Sequence, residues 1–304
     1  RRTREARSRF ESDHKHVLYR EYLRIVTRFK PAVFLMENVP GLLSASLSGA
    51  KTFDLLREDL SSAGYDLYPL NPADPLAGIN GSTRNYVVHA DDYQVPQARS
   101  RVFILGLRKN LFLKPGTLPH SQSAITTVGD VIADLPKIRS RLTKEPDSGD
   151  AWLSAIRRVG KYDLRRYGRK FSESVKETLD SMHPNLALGS QVMRPTGRSP
   201  SRLADWFSDP TLGCVLNHGS RGHMGRDLMR YYFWAQYGVV FQRSPTLPEV
   251  PHYLRPNHGN AGGDAANSPF ADRFRVQLLT KQSTTITSHI AKDGHYRSEE
   301  HTSE

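Results

Sequence analysis

At 304 residues the chain is long enough for one large domain or two ordinary ones. Its 38% hydrophobic and 24% charged residues fit a soluble globular protein; no apolar run approaches membrane-spanning length, and the N-terminal RRTREARSRF lacks the apolar centre of a signal peptide, so a cytoplasmic protein is expected. Lys and Arg number 43 against 31 Asp and Glu, a formal net charge of +12, which favours a polyanionic partner through counterion release. The one cysteine, Cys214, excludes an intrachain disulfide and a cysteine-based zinc site.

In chain order, Leu18, Tyr22, Ile25, Val26 and Phe29 fall at helical spacing within Asp13 to Lys30, and Pro31 ends that helix. Ala32 to Met36 is a short continuous apolar run, expected to be a strand buried on both faces, with Glu37 and Asn38 at its end and Pro40-Gly41 turning the chain. Phe53, Leu56, Leu60 and Ala63 predict a second helix stopped by Gly64. Tyr65 to Leu70, Asn85 to His89 and Arg101 to Leu107 predict three more strands. Helices alternating with apolar strands indicate an α/β sheet with crossover connections, in which ligands bind beyond the carboxyl ends of the strands. From about Ile138 to Ser268 arginine, glycine and proline become frequent and the pattern reads as an irregular second domain, with residues 243–270 a long loop. A basic stretch runs from Lys137 to Lys170, with Tyr162 and Tyr167 among its arginines. Phe274 to Ile290 returns to alternating β-branched and apolar residues.

Three segments carry a resemblance when taken together. Phe34-Leu-Met-Glu37-Asn38-Val-Pro40 ends a strand in Glu-Asn-Val. About sixty residues on, Pro96-Gln97-Ala98-Arg99-Ser100-Arg101 leads into another strand. Near the end stand Asp272 to Gln277, Ser283 to His289, and Lys292-Asp-Gly-His-Tyr296. In this order they resemble bacterial DNA cytosine-5 methyltransferases, and Asn217-His218, Arg221, Asp227 and Arg230-Tyr231 are similar to the target-recognition region of one bacterial branch. The family usually has Gly where this chain has Gln94.

The resemblance covers nearly the whole chain, Arg1 to Tyr296. It implies a partial Rossmann-like methyltransferase sheet over 1–137, an irregular, mixed target-recognition domain over 138–270 and a return segment to the catalytic domain over 271–296. It implies methyl transfer from S-adenosyl-L-methionine to carbon-5 of a cytosine flipped out of double-stranded DNA, as part of restriction–modification, by a monomer without metal. In that scheme Glu37 serves the base ring nitrogen N3, its carboxyl kept protonated in a dry pocket; Asn38 holds the nucleophile loop; Arg99 and Arg101 grip the base oxygen O2 and a phosphate; Gln97 braces the arginines. Strand alternation would point Arg99 and Arg101 to one side. DNA contacts fall to Arg99, Arg101, His218, Arg221, Arg226, His289 and Lys292. His289, Asp293 and His295 lack metal-ligand spacing, and Cys214 is expected to be a packed thiol, not a nucleophile.

The family's methyl-donor loop, its Pro-Cys nucleophile loop and its final core motif have no counterpart here, so the chain alone is expected to be inactive. Residues 297–304 (RSEEHTSE) match the in-frame translation of a sequencing-library adapter and are set aside as an artefact. Three rival readings stay open: a catalytically inactive DNA-binding module, an unrelated α/β enzyme acting on nucleotides, and an RNA cytosine methyltransferase.

Overall fold

A computed structural model describes residues 18–47, 49–71, 83–113, 115–119, 124–197, 203–209, 211–255 and 275–285. The fold is mixed α/β and divides into two compact units, Arg1–Ala124 and Ile125–Glu304.

In the first unit, helix α1 (Leu18–Phe29) leads into strand β1 (Val33–Asn38), helix α2 (Thr52–Ser62), and strands β2 (Tyr65–Tyr68), β3 (Val87–His89) and β4 (Ser100–Arg108). The chain leaves α1 through Lys30, whose φ of 43° turns it into Pro31, and leaves α2 through Gly64 at φ 90°. Here glycine is needed, because a side chain in the left-handed region meets the backbone.

The sheet is organised around β4. β1 lies along one of its edges, with Glu37 opposite Phe103 and Val33 opposite Leu107; β2 lies along the other, with Tyr65 opposite Arg108. β3 also pairs with β4, Val87 opposite Val102. All three pairings are antiparallel. β1 and β2, joined through α2, therefore run parallel to each other, but β4 is inserted between them. The parallel neighbours expected of a crossover sheet are replaced here by a split β-α-β arrangement.

One face of this sheet is covered. Phe34, Met36, Leu67, Val102 and Ile104 pack against Val26 of α1 and Phe53, Leu56 and Leu60 of α2. Phe34 packs edge-on against Tyr22 and tilted against Tyr65. Because alternate strand residues point to opposite faces, Val33 and Leu35 emerge on the other side, 47% and 54% exposed. The expectation that β1 is buried on both faces is thus corrected. So is the apolar stripe of α1: Val26 is buried and Tyr22 half-buried, whereas Ile25 and Phe29 are exposed.

The second unit contains α3 (Val128–Ile132), α4 (Gly149–Arg157), α5 (Arg169–Ser181), strand β5 (Gly189–Met193), the short helix α6 (Ala204–Phe207), strand β6 (Val215–Gly219) and α7 (Gly225–Phe241). Its core is helical: Trp152 and Ile156 of α4, Phe171 and Val175 of α5, and Leu228, Phe233, Trp234 and Tyr237 of α7 form one buried cluster. The irregular domain expected from composition has an aromatic three-helix centre, to which the antiparallel β5–β6 ribbon is added. Residues 275–285 contain one short strand, Ser283–Thr284, rather than continuous alternation.

Candidate active site and DNA-contacting residues

Glu37 stands near the carboxyl end of β1. On an antiparallel pair a residue faces the one directly across and reaches those two positions away along the partner strand. Glu37 is opposite Phe103, so Arg101 is its diagonal neighbour on the same face. Arg101 Nε donates to Glu37 Oε1 at 2.7 Å, and the Arg101 side chain is 19% exposed against 50% for Glu37. A second guanidinium nitrogen, Nη1, donates to the Ser100 carbonyl at 2.8 Å, fixing the fork along its own strand. Two of the expected catalytic side chains therefore meet at one place. Glu37 lies at an open edge, not in the dry pocket expected for it.

Asn38 Oδ1 accepts the Val39 N–H at 2.8 Å, which holds the turn into Pro40. Arg99 does not join the pair. The strand begins at Ser100, and Arg99 sits in a tight bend where its N–H donates to the Gln97 carbonyl at 2.9 Å and its carbonyl accepts from Ala90 N–H. That bend breaks the alternation that would have placed Arg99 beside Arg101. Among the described residues the side chains of Arg99 and Gln97 have no polar partner, so Gln97 does not brace the arginines. The preceding turn carries Gln94 at φ 66°, a left-handed conformation that favours glycine. Phe103, directly across from Glu37 on the same face, was not singled out by the sequence; strand parity was the signal that could have found it.

In the second unit His218 is buried, and its Nε2–H donates to the Pro136 carbonyl at 2.7 Å. The ring ties β6 to the segment after α3 and is not presented to a ligand, which corrects its expected DNA contact. Arg221 and Arg226 are exposed, with no side-chain partner among the described residues. Arg230 is buried: Nη1 donates to Asp227 at 2.6 Å, Nε to the Leu254 carbonyl and Nη2 to the Arg255 carbonyl, both at 2.8 Å. Arg230 is thus a structural clamp. Cys214 is half-buried in the wall of a cavity of about 560 Å³, with Asp134, Phe207 and Leu216 also lining it. His289 and Lys292 lie outside the described residues. No metal-binding cluster exists among the described residues, and no helix among them is long and apolar enough to cross a membrane.

The sequence matches the C-5 cytosine-specific DNA methylase family over residues 5–186, more than half the chain. Type II methyltransferase M.Bpa9945I of Bacillus paralicheniformis is 28% identical over 287 residues, covering 93% of this chain and 51% of the relative. Type II methyltransferase M.DdeI of Desulfomicrobium norvegicum is 31% identical over 224 residues, covering 72% of this chain and 45% of the relative. Type II methyltransferase M.XorII of Xanthomonas oryzae is 34% identical over 131 residues, 42% of this chain and 26% of the relative. The chain spans about half the length of the curated relatives it matches. Two motif blocks that meet at Glu37 and Arg101, lying within the matched region, place it: the chain belongs to the C-5 cytosine-specific DNA methylase family.

Proposed function

We propose that this chain supplies the acid-and-arginine side of DNA cytosine-5 methylation, within a bacterial restriction–modification system. The observation that supports this best is the 2.7 Å contact between Glu37 and Arg101, two residues from separate motifs brought to one strand end. A cytosine inside a duplex is inaccessible, so the base must be extruded. A thiolate then adds at carbon-6 with proton uptake at N3, which makes carbon-5 nucleophilic; after methylation, loss of the carbon-5 proton to a base restores the ring double bond and expels the thiolate. Glu37 hydrogen-bonds N3 and so draws off the charge that develops there. Arg101, already aligned by Glu37 and Ser100, offers its remaining N–H donors to O2, and the half-buried Arg99 takes the adjoining phosphate.

The methyl group in this reaction is supplied by S-adenosyl-L-methionine. The described residues around β1 form no cradle for it: Glu37 is half-exposed, and the Asn38 oxygen is turned onto its own neighbour. Cys214 belongs to the second unit, in a cavity of that unit. In this reading Cys214 is not the nucleophile, a thiolate beyond these residues attacks the base, and this chain alone transfers no methyl group. In this reading the first unit is part of the catalytic domain, the second contains target recognition, and residues 271–296 lead back. The enzyme works as a cytoplasmic monomer on double-stranded DNA.

Replacing the equivalent of Glu37 by Gln in a complete relative should lower turnover at least about a hundredfold, the scale of a positioned acid. A rate near wild type removes Glu37 from the reaction. Labelled methyl groups incorporated into DNA by this chain alone would show the nucleophile to be misplaced.

A further inference from the structure

Residues 157–170 hold seven Lys/Arg and one acidic residue, a net of +6, half of the whole chain's +12. They run from the last residue of α4 through the turns Arg158–Lys161 and Arg165–Tyr167 into the first turn of α5. Val159 and Leu164 between the cations, and Phe171 just after them, are buried in the helical core, whereas Tyr162 is 39% exposed. Every cation is consequently turned outward, and all seven are exposed. The backbone that carries them is pinned at both ends by core side chains, so this is a fixed array and not a loose basic tail.

Internal counter-charges do not account for the array. Arg158 pairs with Glu145, Arg165 with Asp163 and Arg169 with Glu173; the last two arginines are 88% and 90% exposed, in pairs that contribute little in water. Arg166 donates to the Glu249 carbonyl. Arg157, Lys161 and Lys170 have no polar side-chain partner among the described residues. The placement is also unfavourable by itself: Arg169 and Lys170 occupy the positive end of α5, which has no acidic residue in its first turn and no side-chain cap. An external anion relieves both the mutual repulsion and the helix-end charge.

We propose that this surface is a phosphate-backbone contact of the second unit, distinct from the exposed Arg221 and Arg226, and that it positions the unit on duplex DNA without reading sequence. Its partner rests on the DNA-methylation reading above. Backbone contacts of this kind set register and orientation and carry no base information. Each neutralised phosphate adds about 0.9 to the slope of log K against log salt.

The test measures that slope for the 304-residue chain on duplex DNA. The variant is Arg157→Gln with Lys161→Gln and Lys170→Gln, three exposed positions where Gln leaves the core untouched. The slope should fall by about 2 to 3, equally on unrelated duplex sequences. The charge-conserving set Arg157→Lys, Lys161→Arg, Lys170→Arg should retain the parent slope, which separates lost charge from lost fold. A neutralised variant with the parent slope overturns the assignment while leaving the DNA reading intact. A loss of binding to RNA or heparin alone, with duplex DNA unchanged, also overturns it. A parent chain with no salt-dependent duplex binding overturns both.

Discussion

A single methyl group at Gly106 should unfold the first unit at a markedly lower temperature. Gly106 lies mid-strand in β4, opposite Phe34 on one side and Leu67 on the other. A Cβ built there meets Phe34 Cζ at 2.1 Å, Cε1 at 2.2 Å and Cε2 at 2.6 Å, where ordinary carbon contacts are about 3.5 Å or longer. The ring has nowhere to go, since Tyr22 sits 5.7 Å and Tyr65 5.2 Å from its centroid. Overpacking of this kind costs about 3 kcal/mol at the upper end of its usual range. Ala gains back up to about 1 kcal/mol over Gly in a strand, because it loses less backbone entropy. A net of about 2 kcal/mol lowers the melting temperature of a unit this size by roughly 10 °C. The three tryptophans, Trp152, Trp206 and Trp234, all lie in the second unit. Circular dichroism of Gly106→Ala should therefore show an early transition while tryptophan fluorescence melts where the parent does. Adding Phe34→Leu should recover part of the loss, as a contact-specific coupling. An unchanged dichroism melt would refute the packing described for β1 and β4, and with it the register that aligns Glu37 with Arg101.

Two further outcomes test the second unit. Arg230→Leu should cost about 3 to 5 kcal/mol, read from the urea midpoint by tryptophan fluorescence, since it leaves Asp227 and two buried carbonyls without their donor; a loss below about 1 kcal/mol would contradict the clamp. Asp147 accepts from Arg139 Nη1 at 2.8 Å and from the Leu142 N–H at 3.0 Å, and the Arg139 hydrogen bond above all holds its carboxyl below the usual range. A depressed folded value means its stabilisation is complete above the ordinary Asp value of about 3.9 and is lost as pH falls from there through the folded value. Asp147→Asn should be less stable than the parent at neutral pH, and the two curves should converge in that acid window; a constant gap down to about pH 2 would exclude this role.

Much of the first unit is legible because its signals are local. Pro31 and Gly64 end helices for reasons internal to one residue, and both observed helices stop there. The strands fell close to their expected places for the same reason, apolar runs between turn residues. What failed depended on neighbours. The run Ala32 to Met36 cannot say how many faces of its sheet are covered, and Val33 and Leu35 prove exposed. The order of strands in the sheet is likewise a tertiary fact. In α7 the difficulty is the reverse. Leu228, Met229, Tyr232, Phe233, Trp234 and Tyr237 are all buried, so apolar residues surround the helix and no polar face marks its period. His218 looks like a surface ligand by type, yet its role is set by the Pro136 carbonyl, which arrives from a remote part of the chain.

The candidate site was legible as residue types, and the structure adds which of them meet. Separate motifs placed Glu37, Arg99 and Arg101 in one group, but the bend at Arg99 removes it from the strand and leaves a pair. That pair is not closed on itself. A guanidinium offers five N–H donors, and Arg101 commits Nε to Glu37 and Nη1 to Ser100. Donors on the outer edge of the fork remain, so Arg101 can receive a carbonyl oxygen without releasing Glu37. In the proposed reaction the second Glu37 oxygen carries the proton and donates it toward ring nitrogen N3. Lysine is less suited, since its three donors radiate from one nitrogen on a flexible stem and are not preset side by side as on the planar fork. In the proposed reading the ion pair is a preset spacing between two polar groups, matched to adjacent polar atoms on one ring edge. On that proposal the entering base supplies the burial, converting a half-exposed pair into a desolvated one as its charge is used.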